Sequence, residues 1–326
     1  MIKIGLLGAG HLGKIHLGLL QKIPEFELIG FFDPNNENAQ NIVEKYAIPR
    51  FDTAEQLMHA CDAIDIVTPT PQHASCALEA IALGKHVFVE KPLAAHSKEA
   101  IEMVQALRKT KLKGQVGHVE RFNPAFVSIQ NIELNPMFIE AHRLAQFNPR
   151  GTDVSVVHDL MVHDLDIILS IVRHEVSEVR ASGVAVVSKT PDIANARIAF
   201  ANGCVANVTA SRLSFKYLRK TRLFQPDAYI GIDFLEKQAE IVRLTHHVPD
   251  GAISVPLALP NNENDRQMPR HIVFEKPQAP DLNAIETELR LFAESIEQDK
   301  PEAVPFEDGL RTLQLVEQIV AAMQLP

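Results

Sequence analysis

Residues 2–13 read Ile2-Lys3-Ile4-Gly5-Leu6-Leu7-Gly8-Ala9-Gly10-His11-Leu12-Gly13. Ile2–Leu7 is a short, mostly apolar run, and a helical spacing of Ile15, Leu19, Leu20 and Ile23 follows the glycines. Strand, glycine turn and helix in this order form a dinucleotide-binding fingerprint. Gly8 permits the tight turn, Gly10 lets the backbone approach a pyrophosphate, and Gly13 lets helix and strand pack closely. His11 and Leu12 fall in the first helical turn, where unpaired N–H groups and the positive end of the helix dipole favour phosphate.

A second strand, Glu27–Phe32, ends in Asp33, which lies 33 − 13 = 20 residues beyond the last motif glycine. That is the spacing of an acid that binds the adenosine ribose. A carboxylate there repels a 2′-phosphate, and no Arg or Lys follows before Lys45, so the expected cofactor is NAD(H) over NADP(H). Asp33 would equally serve to open the turn Asp33-Pro34-Asn35-Asn36. Alternation continues with the strand Ala63–Thr68, the helix Ala74–Leu83 stopped by Gly84, the strand His86–Glu90, the helix Ser97–Lys109 and the strand Lys113–Val116. Two prolines should hold the loop Thr68-Pro69-Thr70-Pro71-Gln72-His73 extended. Thr68, Pro69, Thr70 and His73 lie past a strand's C-terminal end and are expected to line the cofactor cleft, although His73 reads equally well as an ordinary helix-start histidine. Glu90 and Lys91 reach the same sheet edge, where ligands sit in open parallel sheets. A lysine there can hydrogen-bond a substrate hydroxyl and support proton transfer beside a cofactor.

With 326 residues the chain is expected to hold two domains, 1–118 and 119–326. A hydrophobic fraction of 46% is ordinary for a globular protein. The net charge of −9 argues against a nucleic-acid partner, which demands a basic footprint. No stretch approaches the ~20 apolar residues of a membrane span, and Met1 leads directly into the first strand, so neither a membrane partner nor a signal peptide is expected. Cys61, Cys76 and Cys204 are odd in number and scattered. They form no metal motif and suggest buried free thiols in a reducing cytoplasm. The segment His246–Leu282 carries six prolines. It is long for a structureless loop, and reads either as an arm for substrate or a partner subunit, or as holding a short edge strand at His271–Glu275.

After Gly117 the periodicity changes. A short helix, about Pro124–Ile132, leads to the strand Met137–Arg143 and a helix Val156–Val172. Six candidate strands follow: Glu178–Val187, Ile193–Phe200, Val205–Ser211, Arg219–Phe224, Ala228–Asp233 and Gln238–Leu244. Short connections favour an antiparallel sheet, and Asn202-Gly203 is a hairpin signal. Helices Asn283–Glu297 and Phe306–Met323 come last and are placed to pack back on the first domain. The expected fold is α/β, an N-terminal Rossmann dinucleotide-binding domain plus a C-terminal α+β domain with a large, mostly antiparallel sheet, and an active site in the cleft between them. In the helix Val156–Val172, at about 100° per residue, Asp159, His163 and Asp166 share one face. A carboxylate one turn from a histidine can orient the ring for proton transfer. His158 lies off that face, which reads against a metal pair. A helix with capping acids and an exposed histidine is the plain alternative.

Glu90-Lys91-Pro92, the Thr68–His73 loop, the Asp159/His163 pair, Ala82-Leu83-Gly84-Lys85-His86-Val87 and the stretch Pro305–Gly309 together resemble the Gfo/Idh/MocA oxidoreductase family over nearly the whole chain. The resemblance implies NAD(P) and oxidation of a sugar or cyclitol hydroxyl. It also implies Lys91 and His163 as the catalytic pair, Asp159 holding the site, and a homodimer or homotetramer built on the large sheet. Gly117–Pro124 and Asn148–Val154 resemble the branch that includes UDP-N-acetylglucosamine 3-dehydrogenases, which makes C3 of a UDP-N-acetylhexosamine the expected reacting carbon. A nucleotide-sugar needs cations for its diphosphate. Arg121 and Arg150 are candidates beside Asn123, and interdomain ion pairs would use both arginines equally well. The basic run Lys216, Arg219, Lys220 and Arg222 reads as an anion site or, more simply, as a charged strand edge. Two other functions stay open: a free-sugar or inositol dehydrogenase, and a non-catalytic dinucleotide-sensing regulator, which would not need Lys91, Asp159 and His163.

Overall fold

The computed structural model describes residues 1–148, 154–249, 251–257 and 270–324. The chain divides into two units, Met1–Phe122 with Leu282–Glu317, and Asn123–Asp281 with Gln318–Pro326. In the first unit, β1 (Ile2–Leu7), β2 (Phe26–Phe32), β3 (Ala63–Ile66), β4 (His86–Glu90) and β5 (Gly114–Gly117) form a parallel sheet in the order β2-β1-β3-β4-β5. The order reverses between β1 and β3, and that switch point is where open parallel sheets take their ligands.

The helices of this unit are α1 (His11–Leu20), α2 (Asn36–Tyr46), α3 (Ala54–Ala60), α4 (His73–Ala82) and α5 (Ser97–Leu107). The strands are buried on both faces, which is why β1 and β4 read as apolar runs without alternation. One core joins Leu17, Leu20, Phe26 and Phe31 to Phe292. Phe292 comes from a later helix, α8 (Ala284–Glu297), and meets Phe88 edge-on at 5.8 Å. The other core joins Leu57, Ile81, Met103 and Val116 to Phe306, the first residue of α9 (Phe306–Ala322).

Helices α2 and α3 were not expected, yet each has a side-chain cap. Asn35 Oδ1 accepts from the Asn38 N–H at 2.9 Å, and Thr53 Oγ1 from the Gln56 N–H at 3.1 Å. The Thr68–His73 loop is not extended, contrary to expectation. Thr70–Gln72 is a tight 3-10 turn with Pro71 in its first turn, where the fixed φ of proline suits a helix start.

The second unit is built on a ten-stranded sheet. Its strands are β6 (Phe138–Leu144), β7 (Val176–Val184), β8 (Ile193–Phe200), β9 (Val205–Ser211), β10 (Leu218–Phe224), β11 (Ala228–Asp233), β12 (Gln238–Thr245), β13 (Ile253–Leu257), β14 (Arg270–Glu275) and β15 (Met323–Gln324). Their order is β13-β14-β12-β11-β10-β6-β9-β8-β7-β15, with β6–β9 and β7–β15 parallel and the other neighbours antiparallel. Gly203 takes φ +87° in the β8–β9 turn, as the Asn-Gly signal requires. Two local expectations fail. Helix α6 (Pro124–Val127) is one turn long rather than reaching Ile132. The strand at 270–275 is not an edge, because β13 pairs outside it. Helix α7 (Val162–Ile171) packs against β6 and β9.

Candidate active site

At the C-terminal end of β1, Gly8 takes φ +88°, and a Cβ there would lie 2.7 Å from Thr68 Cα on the neighbouring β3 loop. Only glycine lets the two chains part this closely. Gly10 caps α1 without a side-chain bond, and a Cβ at Gly10 would meet nothing within 4 Å. Glycine at that position therefore leaves open volume directly before the helix N-terminus, where the first-turn N–H groups point. A cleft of about 490 Å³ opens here. Gly8, Gly10, His11, Leu12, Asp33, Thr68, Pro69, Thr70, His73, Glu90 and Lys91 line it, with Pro34, Val67 and Gln72, which sequence reasoning missed. Of the sequence-derived cofactor residues only Gly13 is outside, because its place is against the backbone of Gly8. The volume suits a bound cofactor moiety, and a glycine cradle on a helix N-terminus fits the diphosphate of a dinucleotide.

Of the two roles considered for the second-strand acid, the turn is visible in its hydrogen bonds, and a third role appears beside it. Asp33 Oδ1 accepts from the Asn35 N–H at 2.8 Å, opening the turn, while Oδ2 accepts from the Ala9 N–H at 2.8 Å and fastens the glycine loop. Asn38, not singled out from the sequence, joins the two by donating from Nδ2 to Ala9 O at 2.9 Å and Asp33 Oδ2 at 3.3 Å. A cation also reaches this corner, which counting forward from Asp33 to Lys45 did not find. Arg50 forms a parallel bridge with Phe31, and its Nη2 donates to Asp33 O at 3.0 Å and Asn36 Oδ1 at 2.6 Å.

At the other lip, His73 is buried with both ring nitrogens facing carbonyls, Nδ1 at 2.8 Å from Pro92 O and Nε2 at 2.8 Å from Thr68 O. It clamps the β3 loop to the turn after Lys91. That turn contains a cis Lys91-Pro92 peptide. Beneath it, Glu90 Oε2 accepts from the Lys91 N–H at 3.1 Å.

The candidate substrate residues have partners of their own. Arg121 is buried and donates from Nη1 to Asp308 Oδ2 at 2.7 Å, an ion pair inside the first unit rather than between domains. Asn123 is the N-cap of α6, accepting from the Ala125 N–H at 3.1 Å and donating to Phe234 O at 3.0 Å. Arg150 lies outside the described residues. Two residues of the basic run pair with carboxylates, Lys220 3.0 Å from Asp233 and Arg222 3.4 Å from Glu140. That favours the charged strand over the anion site.

In the second unit the segment around His163 departs from the expected regular helix. Val157–Met161 forms a π-helical turn before α7 begins. The wide turn sits over Asp159, so the 100° wheel used to place Asp159, His163 and Asp166 on one face does not hold across it. Such turns concentrate at functional sites, and no sequence signal announces them. His163 is half-buried rather than exposed. Its neighbour Asp164 is fully buried and takes Arg143 of β6 through two bonds, Nε to Oδ2 at 2.8 Å and Nη2 to Oδ1 at 3.1 Å, which pins α7 to the sheet. Among the described residues no group of three or more His, Cys, Asp or Glu could hold a metal, and no helix is long and apolar enough to cross a membrane.

Comparison with known proteins agrees with this geometry. Residues 2–118 match the family model described as the oxidoreductase family, NAD-binding Rossmann fold, and residues 104–224 match the GFO/IDH/MocA C-terminal domain. A UDP-N-acetylglucosamine 3-dehydrogenase of Acidithiobacillus ferrooxidans is 36% identical over 241 residues, covering 74% of this chain and 76% of that protein. A solved structure of that enzyme superposes with a TM-score of 0.87 over 99% of this chain and 97% of that one, at 31% identity. A scyllo-inositol 2-dehydrogenase (NAD(+)) of Bacillus subtilis is 29% identical, covering 65% of this chain and 68% of that protein. A levoglucosan dehydrogenase solved with NADH and levoglucosan shares the fold, with a TM-score of 0.82 at 18% identity over 98% and 96% of the two chains. The chain belongs to the Gfo/Idh/MocA family of NAD-binding oxidoreductases, and is a dehydrogenase with a nicotinamide dinucleotide cofactor.

Proposed function

We propose that the enzyme oxidises the C3 hydroxyl of a UDP-N-acetylhexosamine, with NAD⁺ as the acceptor. The observation that carries the substrate is the 36% identity to the A. ferrooxidans enzyme over three-quarters of both chains. The bound nicotinamide supplies the hydride-accepting carbon. Lys91 donates a hydrogen bond to the reacting oxygen and offsets its developing negative charge. His163 takes the hydroxyl proton as general base, so that proton and hydride leave the same carbinol and a ketone remains. Asp159 helps hold the second half of the site. Asp33 binds the adenosine ribose and favours NAD(H). The reading also carries a cytoplasmic enzyme and a homodimer or homotetramer, which sedimentation would resolve.

The test is NADH formation with a panel of UDP-N-acetylglucosamine, UDP-glucose, their free sugars and myo-inositol. Turnover with the UDP-sugar alone is the expected result. Turnover confined to a free sugar or inositol would discard the nucleotide-sugar assignment. Lys91→Met should lower kcat by about 10²–10³-fold, the usual loss on removing one oxyanion donor, while NAD⁺ affinity stays. A second cofactor reading, NADP(H), is favoured by one observation, the Arg50 guanidinium beside Asp33. Parallel assays with NADP⁺ decide it, and a higher kcat/KM with NADP⁺ would overturn the NAD preference.

A further inference from the structure

Four ionisable side chains are buried together beneath the Glu90-Lys91 turn: His16 from α1, Asp65 from β3, Glu90 from β4 and Glu288 from α8. His16 Nδ1 lies 2.8 Å from Asp65 Oδ2, and His16 Nε2 lies 3.2 Å from Glu90 Oε1. The other Glu90 oxygen accepts the Lys91 N–H. Gly117 on β5 leaves no play on the far side, since a Cβ there would lie 2.8 Å from Glu90 Oε1. Phe88 closes over the imidazole at 6.0 Å between ring centroids.

A core gains nothing in stability from charges that well-packed apolar residues could replace. These four cluster at the one point where a strand hands over to Lys91. Burial opposes charge on His16, but Asp65 and Glu90 outweigh it and raise its pKa well above the ordinary histidine value, which favours the imidazolium, hydrogen-bonded to Asp65 through Nδ1 and ion-paired with Glu90 through Nε2. Burial, with Glu90 beside it, pushes the Glu288 carboxyl well above the usual glutamate range and favours its protonated form.

We propose that His16 is a positioning residue for Lys91, the imidazole holding the Glu90 carboxylate and that carboxylate holding the Lys91 backbone, so that the helix whose N-terminus receives the cofactor diphosphate also aims the lysine. Asp65 fixes the ring from behind. The effect on turnover rests on the reading of Lys91 given above; the geometric chain itself does not.

Two substitutions separate positioning from packing. In His16→Asn the amide nitrogen takes the place of Nδ1 and keeps Asp65 but loses Glu90. In His16→Gln it takes the place of Nε2 and keeps Glu90. Three readings are made on the full chain: NAD⁺ affinity by calorimetry, amide exchange of the Lys91 N–H by mass spectrometry, and kcat and KM with UDP-N-acetylglucosamine. In the Asn variant Lys91 exchange should speed up about tenfold, the factor expected for one weakened charge-assisted hydrogen bond. Its kcat should fall about 100-fold, the loss a misplacement near 1 Å can cause, with KM and NAD⁺ affinity near wild type. The Gln variant should recover both. Equal exchange and equal kcat in the two variants would overturn the proposal. Should neither fold, Asp65→Asn frees the same ring, and wild-type Lys91 exchange in that variant would also overturn it. If exchange follows the pattern while Lys91→Met keeps full turnover, the catalytic reading of Lys91 fails and the positioning chain stands.

Discussion

Two glycines of α1 make opposite predictions for the same substitution. In Gly13→Ala the new Cβ would sit 2.1 Å from Gly8 O, whereas real Cβ contacts stay beyond 3.0 Å, so helix and turn must separate by at least 3.0 − 2.1 = 0.9 Å. The obstacle is backbone, which cannot rotate aside. Overpacking of this kind costs about 3 kcal/mol at the upper end of its range, and alanine's helix propensity returns only ~1 kcal/mol. The net loss is therefore about 2 kcal/mol, or a Tm lower by roughly 4–8 °C for a unit of this size. At Gly18, five residues further on, a Cβ meets nothing within 4 Å. Gly18→Ala should gain about 0.5–1 kcal/mol and raise Tm by roughly 1–4 °C. Because Gly13 also holds the glycine cradle against β1, the first variant should weaken NAD⁺ binding and the second should not. Thermal melts with and without NAD⁺ read both effects. A Gly13→Ala protein that melts at or above wild type with unaltered NAD⁺ affinity would refute the close-approach argument.

Burial pushes the Cys61 thiol up to about 12 and the Cys204 thiol to about 11. Both should resist iodoacetamide at pH 8 in the folded protein and react after denaturation; rapid native labelling would contradict their burial. Asp192 accepts three backbone N–H bonds, from Val186, Val187 and Ser188 at 2.7–2.9 Å. Although burial opposes it, these bonds hold its carboxyl far below the usual range. Its contribution is present above the unfolded value of ~3.9 and fades as pH falls toward the folded one. Asp192→Asn should thus lose about 1.5–3 kcal/mol at pH 7, and denaturant melts should show the gap to wild type narrowing below pH 4. The sign reverses at Glu288, whose raised value favours the protonated folded state: stability is greatest below the unfolded pKa of ~4.3 and declines as pH rises toward the folded pKa. Glu288→Gln should flatten that decline, and an unchanged pH slope would show that Glu288 is ionised in the folded state.

Legibility from sequence followed the length scale of the interaction. The strands β8, β9 and β11 were read to the residue, because β8 alternates strictly between a buried and an open face, β9 does so over most of its length, and β11 sets Ala228, Ile230 and Ile232 on one buried face. The glycine cradle was legible because Gly8 and Gly13 answer local steric demands and Gly10 leaves room before the helix. The caps at Asn35 and Thr53 are local side-chain signals, but Asn35 also belongs to the turn at Asp33, and the seven-residue helix after Thr53 is too short to show a clear period. Arg50 and Asn38 went unseen because their roles depend on sheet neighbours, not on spacing from Asp33. The π turn over Asp159 leaves no mark in residue pattern. His16 looked like one more helix residue, since its partners Asp65, Glu90 and Glu288 lie 49, 74 and 272 residues away in the chain.

The first unit is discontinuous, and this matters to a nascent chain. Leu282–Glu317 supplies Phe292 and Phe306 to the two cores flanking the parallel sheet, and Glu288 to the charge cluster. Between the end of the first segment and the start of the second lie 281 − 122 = 159 residues of synthesis. At ribosomal speeds the sheet waits roughly 8–32 s with those faces uncovered. During that interval Phe88 and Phe26 lack their partner, and the glycine loop is backed by an incomplete core. Ribosome-bound chains should therefore be open to proteolysis in residues 1–122 until α8 emerges, and chaperones would find their binding surface there.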